Sequence, residues 1–293
     1  MKGWTQKNYS YFRIIFGAYL SIHFMALVPW AAELFGGGGA LTATASPLVR
    51  LFPNILGWID QPAFVIGFLC AGTGLSLMFM AGLKDRFAAV GVWFIWACLV
   101  GRNPLILNPG IPFVGWLLLM HVMMPKPDSD DWVLPKSFYD LAWLVMALGY
   151  TYSGVTKLVS QSWLDGSALL HVLESPLARP SFLRELLVSQ PLMLKAMTFG
   201  VLGLEILSAP IALFRKARPF VWLALVGMHL GILLTVDFAD LTWGVLMIHV
   251  ITFDPEWFNQ LRAKIPRGIL RRWRIGSKPT RSRYETSFHP PKH

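Results

Sequence analysis

Seven ionisable side chains lie inside long apolar stretches of this chain: Arg13, His23, His121, Lys157, Glu205, His229 and His249. An ionisable group in a bilayer costs about 3 kcal/mol or more, so each is a functional candidate by default. Lys157 closes an apolar stretch at Tyr150-Thr151-Tyr152-Ser153-Gly154-Val155-Thr156-Lys157-Leu158. It reads either as a lysine snorkelling to the interface or as an amine whose desolvation disfavours the ammonium and makes it a general base. His229 sits mid-stretch between Gly227 and Gly231. Small residues there are expected to let another helix come close. The imidazole then serves as an interhelical hydrogen bond, a proton carrier or an oxyanion stabiliser. Glu205 must be paired or protonated, and Arg13 or a histidine is the expected partner. His23, His121 and His249 form a weak metal alternative on three different helices. No HExxH spacing supports it, and no metal is predicted. Walker, GxSxG, dinucleotide and EF-hand patterns are absent.

The elements that must position these residues are apolar helices. Of 293 residues, 55% are hydrophobic and 14% charged, against about 25% charged in a soluble domain. Mean hydropathy is +0.51. The expected fold is all-α: a polytopic transmembrane helix bundle of about eight spans, with interfacial helices on the outer face. The spans are Tyr11–Phe35, Pro62–Leu83, Phe87–Gly101, Ile111–Pro125, Ser137–Leu158, Leu192–Phe214, Pro219–Phe238 and Leu241–Phe253, the third, fourth and eighth being short for a bilayer. Lys2 and Lys7, Lys84 and Arg86, Lys126 and Lys136, and Arg215, Lys216 and Arg218 fall on alternate connections. By the positive-inside rule these are cytoplasmic, as are both termini. The location is a cell (inner) membrane.

The first stretch is too long for a secretion signal, and Arg13 and His23 interrupt it, so it reads as an uncleaved helix. Two outer segments, Ala40–Gln61 and Ser160–Pro191, exceed what a connector needs. The second divides into Ser167–Leu173 and Ser181–Leu187, with Asp165 placed to cap the former. Cys70 and Cys98 lie in apolar runs and suit neither a disulfide framework nor a zinc site. Beyond Phe253 ten Lys/Arg face three acidic residues, so much of the net charge of +10 sits in the tail. A basic juxtamembrane tail touches anionic lipid; nucleic acid is not an expected partner.

Tyr152-Ser153-Gly154-Val155-Thr156-Lys157-Leu158 followed by Ser162-Trp163-Leu164-Asp165-Gly166 resembles the "(A/S)GVxKL…(D/S)W(L/V)xG" pattern of the HTTM domain. That domain is the transmembrane part of vitamin K-dependent gamma-carboxylase and its bacterial relatives. The helices of Glu205 and His229 and the closing Phe253-Asp254-Pro255-Glu256-Trp257 extend the resemblance, as does Arg13-Ile14-Ile15-Phe16-Gly17 at the start. It implies an HTTM-like domain over 1–258 and a basic cytoplasmic tail over 259–293. It also implies an enzyme of the carbon–carbon lyase type. In that chemistry Lys157 deprotonates a reduced isoprenoid quinone (vitamin K or menaquinone), and O2 uptake makes the stronger base that opens a peptide glutamate to CO2. His229 supports the reactive species, and Tyr150, Tyr152, Trp163 and Glu205 line the pocket. The substrate is a peptide or lipid at the outer leaflet. Two departures stand out: Pro104 occupies a place where the family has a histidine, and no β-rich lumenal domain is expected. A non-catalytic maturation factor for an exported peptide, working with a partner membrane protein, is the first alternative. A proton-linked transporter is the second, although no broken-helix repeat supports it.

Overall fold

The computed structural model describes residues 3–41, 53–127, 129 and 131–257. Half of the segment 40–61 and the basic tail therefore lie outside the described residues. The described chain is helical: α1 (Gln6–Leu27), α2 (Ala31–Phe35), α3 (Pro62–Ala81), α4 (Asp85–Arg102), α5 (Gly110–Met123), α6 (Lys136–Lys157), α7 (Gln161–Asp165), α8 (Ala168–Glu174), α9 (Phe182–Val188), α10 (Pro191–Ile206), α11 (Ser208–Ala212), α12 (Arg218–Thr235) and α13 (Ala239–Thr252). No strand forms among these residues; only single bridges occur, as between Thr5 and Val133.

Local signals explain the boundaries. The Thr5 hydroxyl accepts from the Asn8 amide at 3.4 Å and starts α1. Proline opens α3 and α10, where its missing N–H costs nothing. Gly82, in the left-handed region at φ 77°, stops α3.

All eight expected segments are helical, but they are not equally equipped to cross a membrane. Three stretches among the described residues are long and apolar enough alone: Gln6–Phe35, Pro62–Ala81 and Arg218–Thr235. The helices α9 and α10 would add a fourth only as one broken span, with a 95° bend between them. The apolar α5 and α13 have 14 residues each, about 21 Å of rise against a hydrocarbon core of about 30 Å. Many apolar side chains point outward: Leu192 is 81% and Phe220 75% exposed. That arrangement suits lipid rather than water, and the protein is a membrane protein.

Within residues 2–253 the helices pack around α13. It meets α5, α6 and α12, and also α1. The crossing with α5 runs backbone to backbone, because a Cβ on Gly110 would lie 3.0 Å from the Gly244 Cα. Helix α1 packs on α3, α3 on α4 and α4 on α5, while α6 packs on α10 and α11. Residues 254–293 form a separate unit. In its described part Asp254 takes the Glu256 amide on its side chain and the Trp257 amide on its carbonyl.

Candidate functional site

The last turn of α6 brings Lys157 against α10. Its ammonium donates to the Ser153 hydroxyl at 2.8 Å and forms an ion pair with the Glu205 carboxylate. The Lys157 side chain is 22% exposed and that of Glu205 only 7%. The Trp163 ring, on α7, lies over the same ammonium, 5.0 Å from ring centroid to Nζ, a cation–π contact.

The glycines of the sequence pattern make this meeting possible. A Cβ on Gly154 would come within 2.7 Å of the Ile206 amide and 2.9 Å of the Glu205 Cβ. Only a bare backbone three residues before Lys157 lets α6 and α10 touch at the acid. Gly166 stands three residues after Trp163 at φ 84°, ending α7 in the left-handed region that other residues avoid. The Gly-x-x-Lys element thus seats the amine, and the Trp-x-x-Gly element turns the chain that holds the ring.

Below Lys157, nearly two helical turns deeper, Thr151 locks the break between α10 and α11. Its hydroxyl donates to the Ile206 carbonyl at 3.1 Å and accepts from the Ala209 amide at 3.0 Å. Next to it, buried Tyr150 points to His249 on α13, with 3.3 Å between the hydroxyl and Nε2. His249 Nδ1 lies 3.1 Å from the Val245 carbonyl. The carbonyl can only accept, so Nδ1 carries the proton and Nε2 accepts from Tyr150. The His229 ring centroid lies 5.9 Å from that of Tyr150 and 5.9 Å from that of His249. His229 is 4% exposed, yet among the described residues neither of its ring nitrogens has a hydrogen-bond partner. Lys157 and Glu205 lie within electrostatic reach of His229 and Tyr150 respectively.

The structure thus forms two neighbouring groups, Lys157 with Glu205, Ser153 and Trp163, and Tyr150 with His249 and His229, with Thr151 bonded to the backbone of α10 and α11 beside them. Tyr152 does not belong: it is 73% exposed, on the opposite side of α6 from Tyr150. Glu205 pairs with Lys157 rather than with Arg13 or a histidine, and Arg13 instead faces Asp85 at 3.6 Å. The metal alternative is dispersed, since His23 bonds Asp240 at 2.7 Å, His121 bonds Tyr9 at 2.7 Å and His249 bonds Tyr150. Gly227 and Gly231 admit no neighbouring helix; a Cβ on either would meet nothing within 4 Å. Asp165 does not cap α8, whose N-cap is Ser167; it ends α7 and accepts the Ser167 amide at 2.9 Å, and the Ser167 hydroxyl together with this amide holds its carboxyl below the usual range. The expected pair of outer helices appears as α8 and α9.

Ser153 and Thr151 stood inside the quoted pattern but were not singled out. Their signal was the helical spacing, Ser153 lying one turn before Lys157.

Residues 124–257 match the model of the HTTM domain. No curated protein and no solved structure matches the chain. The match begins after α5, so it covers less than the 1–258 expected from the resemblance, but it includes every residue gathered around Lys157 and His229. The likeness to the HTTM domain is thus carried by residues 124–257.

Proposed function

We propose that this protein is a membrane enzyme that takes a proton from a reduced isoprenoid quinone, with Lys157 as the base and Glu205 as its proton partner, in a carboxylase-type reaction on a peptide or lipid. The observation that carries the reading is the Lys157–Glu205 pair, sunk between Ser153 and Trp163 in an otherwise apolar bundle. Away from water a charged pair gains little over its neutral form. One proton passed from the ammonium to the carboxylate leaves a free amine and a carboxylic acid. The amine can then accept a proton from an acidic hydroxyl, and Glu205 can return its own to the next acceptor.

The residues suit a flat ring bearing oxygens. Trp163 and Tyr150 offer ring faces, and the two unpartnered nitrogens of buried His229 lack the hydrogen bonds that such groups ordinarily make. A reduced quinone, when bound, supplies the acidic hydroxyl and the electrons that oxygen takes up. His229 would orient it, and the bundle would exclude water. In this reading all eight helical segments cross an inner membrane, thinned around α5 and α13. Both termini are cytoplasmic and Lys157 lies at the outer face.

The test is epoxide formation by purified protein given reduced menaquinone or reduced vitamin K with O2 and CO2. Wild type should form epoxide, Lys157→Ala none, and Glu205→Gln at least tenfold less. Equal product from wild type and Lys157→Ala would discard the lysine base. No product from any of the three would leave the maturation-factor alternative in its place.

A further inference from the structure

We propose that the turn between α3 and α4 holds the phosphate of an anionic phospholipid. An open hollow of about 300 Å³ lies there, lined by Lys84, Asp85, Arg86, Phe87 and Lys126. Three of the five lining residues are cations. The lone acid is already engaged: Asp85 faces Arg13 at 3.6 Å and His121 at 3.3 Å, and accepts the Arg86 amide at 2.9 Å. Lys84 and Lys126 are exposed and form no ion pair among the described residues, so the lining itself keeps unneutralised positive charge.

The site is built rather than incidental. Arg86 is fixed across the gap by donating to the Met124 carbonyl at the end of α5. Lys84 stands in the left-handed region at φ 44°, the one non-glycine with positive φ among the described residues. A residue bearing a side chain rarely adopts that backbone, and there Lys84 joins the rim of the hollow. Tyr9 donates to or accepts from His121 at 2.7 Å, which stiffens the Asp85 side of the wall.

The apolar surroundings choose between a lipid and a soluble anion. Phe87 belongs to the lining and is 66% exposed; Leu83, next to Lys84, is 61% exposed, and Met123, three residues before Lys126, is 75% exposed. In a membrane protein these side chains meet acyl chains. A basic hollow at headgroup level beside an apolar collar matches a molecule with a phosphate at one end and hydrocarbon at the other. The charge pattern of the connections puts this turn in the cytoplasmic leaflet. The inference is independent of the chemistry at Lys157.

Native mass spectrometry of the full chain in detergent would test it, with palmitoyl-oleoyl phosphatidylglycerol, the matching phosphatidylcholine, and sodium phosphate as probes. Phosphatidylglycerol should be retained well above phosphatidylcholine. The double variant Lys84→Gln/Lys126→Gln should weaken phosphatidylglycerol binding by roughly fivefold per removed cation. Binding through the basic tail is common to both proteins and cancels in the ratio. The Lys84→Arg/Lys126→Arg variant should bind as wild type does. Should the double variant fail to fold, Lys126→Gln alone, outside any helix, should still show the single fivefold loss. Unchanged affinity in the Gln variants, equal retention of the two lipids, or loss in the Arg variant would overturn the proposal. Protection by millimolar sodium phosphate equal to that by phosphatidylglycerol would assign the hollow to a free anion and overturn the lipid.

Discussion

Where α1 crosses α3, a Cβ on Gly17 would lie 2.6 Å from the Met80 Cβ, and Gly110 and Gly244 meet backbone to backbone where α5 crosses α13. On α10 and α12, by contrast, Gly200, Gly203, Gly227 and Gly231 meet nothing within 4 Å. The polar groups differ in the same direction. Around α13 and α1, Asp240 accepts from Tyr19 at 3.1 Å and from Asn108 at 3.1 Å and bonds His23 at 2.7 Å. His229 on α12 has no bond at either nitrogen. A close glycine marks a seam where two helices lock, and most buried polar groups find partners there, Thr242 Oγ1 on α13 being one that does not. An open glycine marks a face that none of the described residues covers. The Lys157–Glu205 seam belongs to the first kind through Gly154, although it lies in the HTTM stretch. The site is thus a locked ion pair beside an unlocked histidine.

Five single substitutions and one double would break or sharpen this contrast, each read as thermal unfolding in detergent. The largest effect is expected at Arg102, fully buried and donating to the Leu41 carbonyl at 2.6 Å and the Gly36 carbonyl at 2.7 Å. Arg102→Ala leaves those carbonyls without donors and should cost about 4 kcal/mol; a loss under about 1 kcal/mol would show the seam to be loose. Glu205→Gln should cost about 2 kcal/mol, less than for a fully buried pair because Lys157 is partly exposed. Replacing both by leucine should restore most of that loss, and failure to do so would mean that the pair specifies the packing of α6 on α10. Gly110→Leu should cost about 2 kcal/mol by forcing α5 from α13, while Gly227→Leu should stay within about 0.5 kcal/mol. Equal effects would erase the distinction between close and open glycines. Smallest in stability is His229→Leu, expected to be neutral or stabilising by about 1 kcal/mol, since it removes unsatisfied buried polar atoms. In the epoxide assay the same variant should be inactive, a stability–function trade. A destabilised yet active variant would make His229 a packing residue.

Much of the site was legible in the sequence because its glycines and its lysine keep fixed spacing on single elements. Gly154 and Lys157 share α6, and Trp163 and Gly166 bracket the end of α7. The pairing of Lys157 with Glu205 was not legible, because the two stand on different helices and periodicity does not say which faces meet. Tyr152 was misplaced although the spacing could have excluded it: two residues from Tyr150 is about 200° around a helix, so both cannot face one pocket. His249 entered only as a weak metal ligand, because its tie to Tyr150 spans 99 residues. The helical character of the eight segments was readable from their apolar length. How many cross alone was not, since α5 and α13 are short and α6 carries Lys136, Asp140 and Lys157 near its ends.

The helix that holds the bundle together is made after the helices it joins. Until α13 leaves the ribosome, His23, Tyr19 and Asn108 wait without the carboxylate of Asp240, and Tyr150 waits without His249. The earlier helices must therefore be inserted and kept apart from wrong partners while α13 is being made, and the closing step follows its insertion. Cells short of insertion or chaperone capacity would be expected to lose this protein at that late stage, as inserted but unclosed chains exposed to membrane proteases.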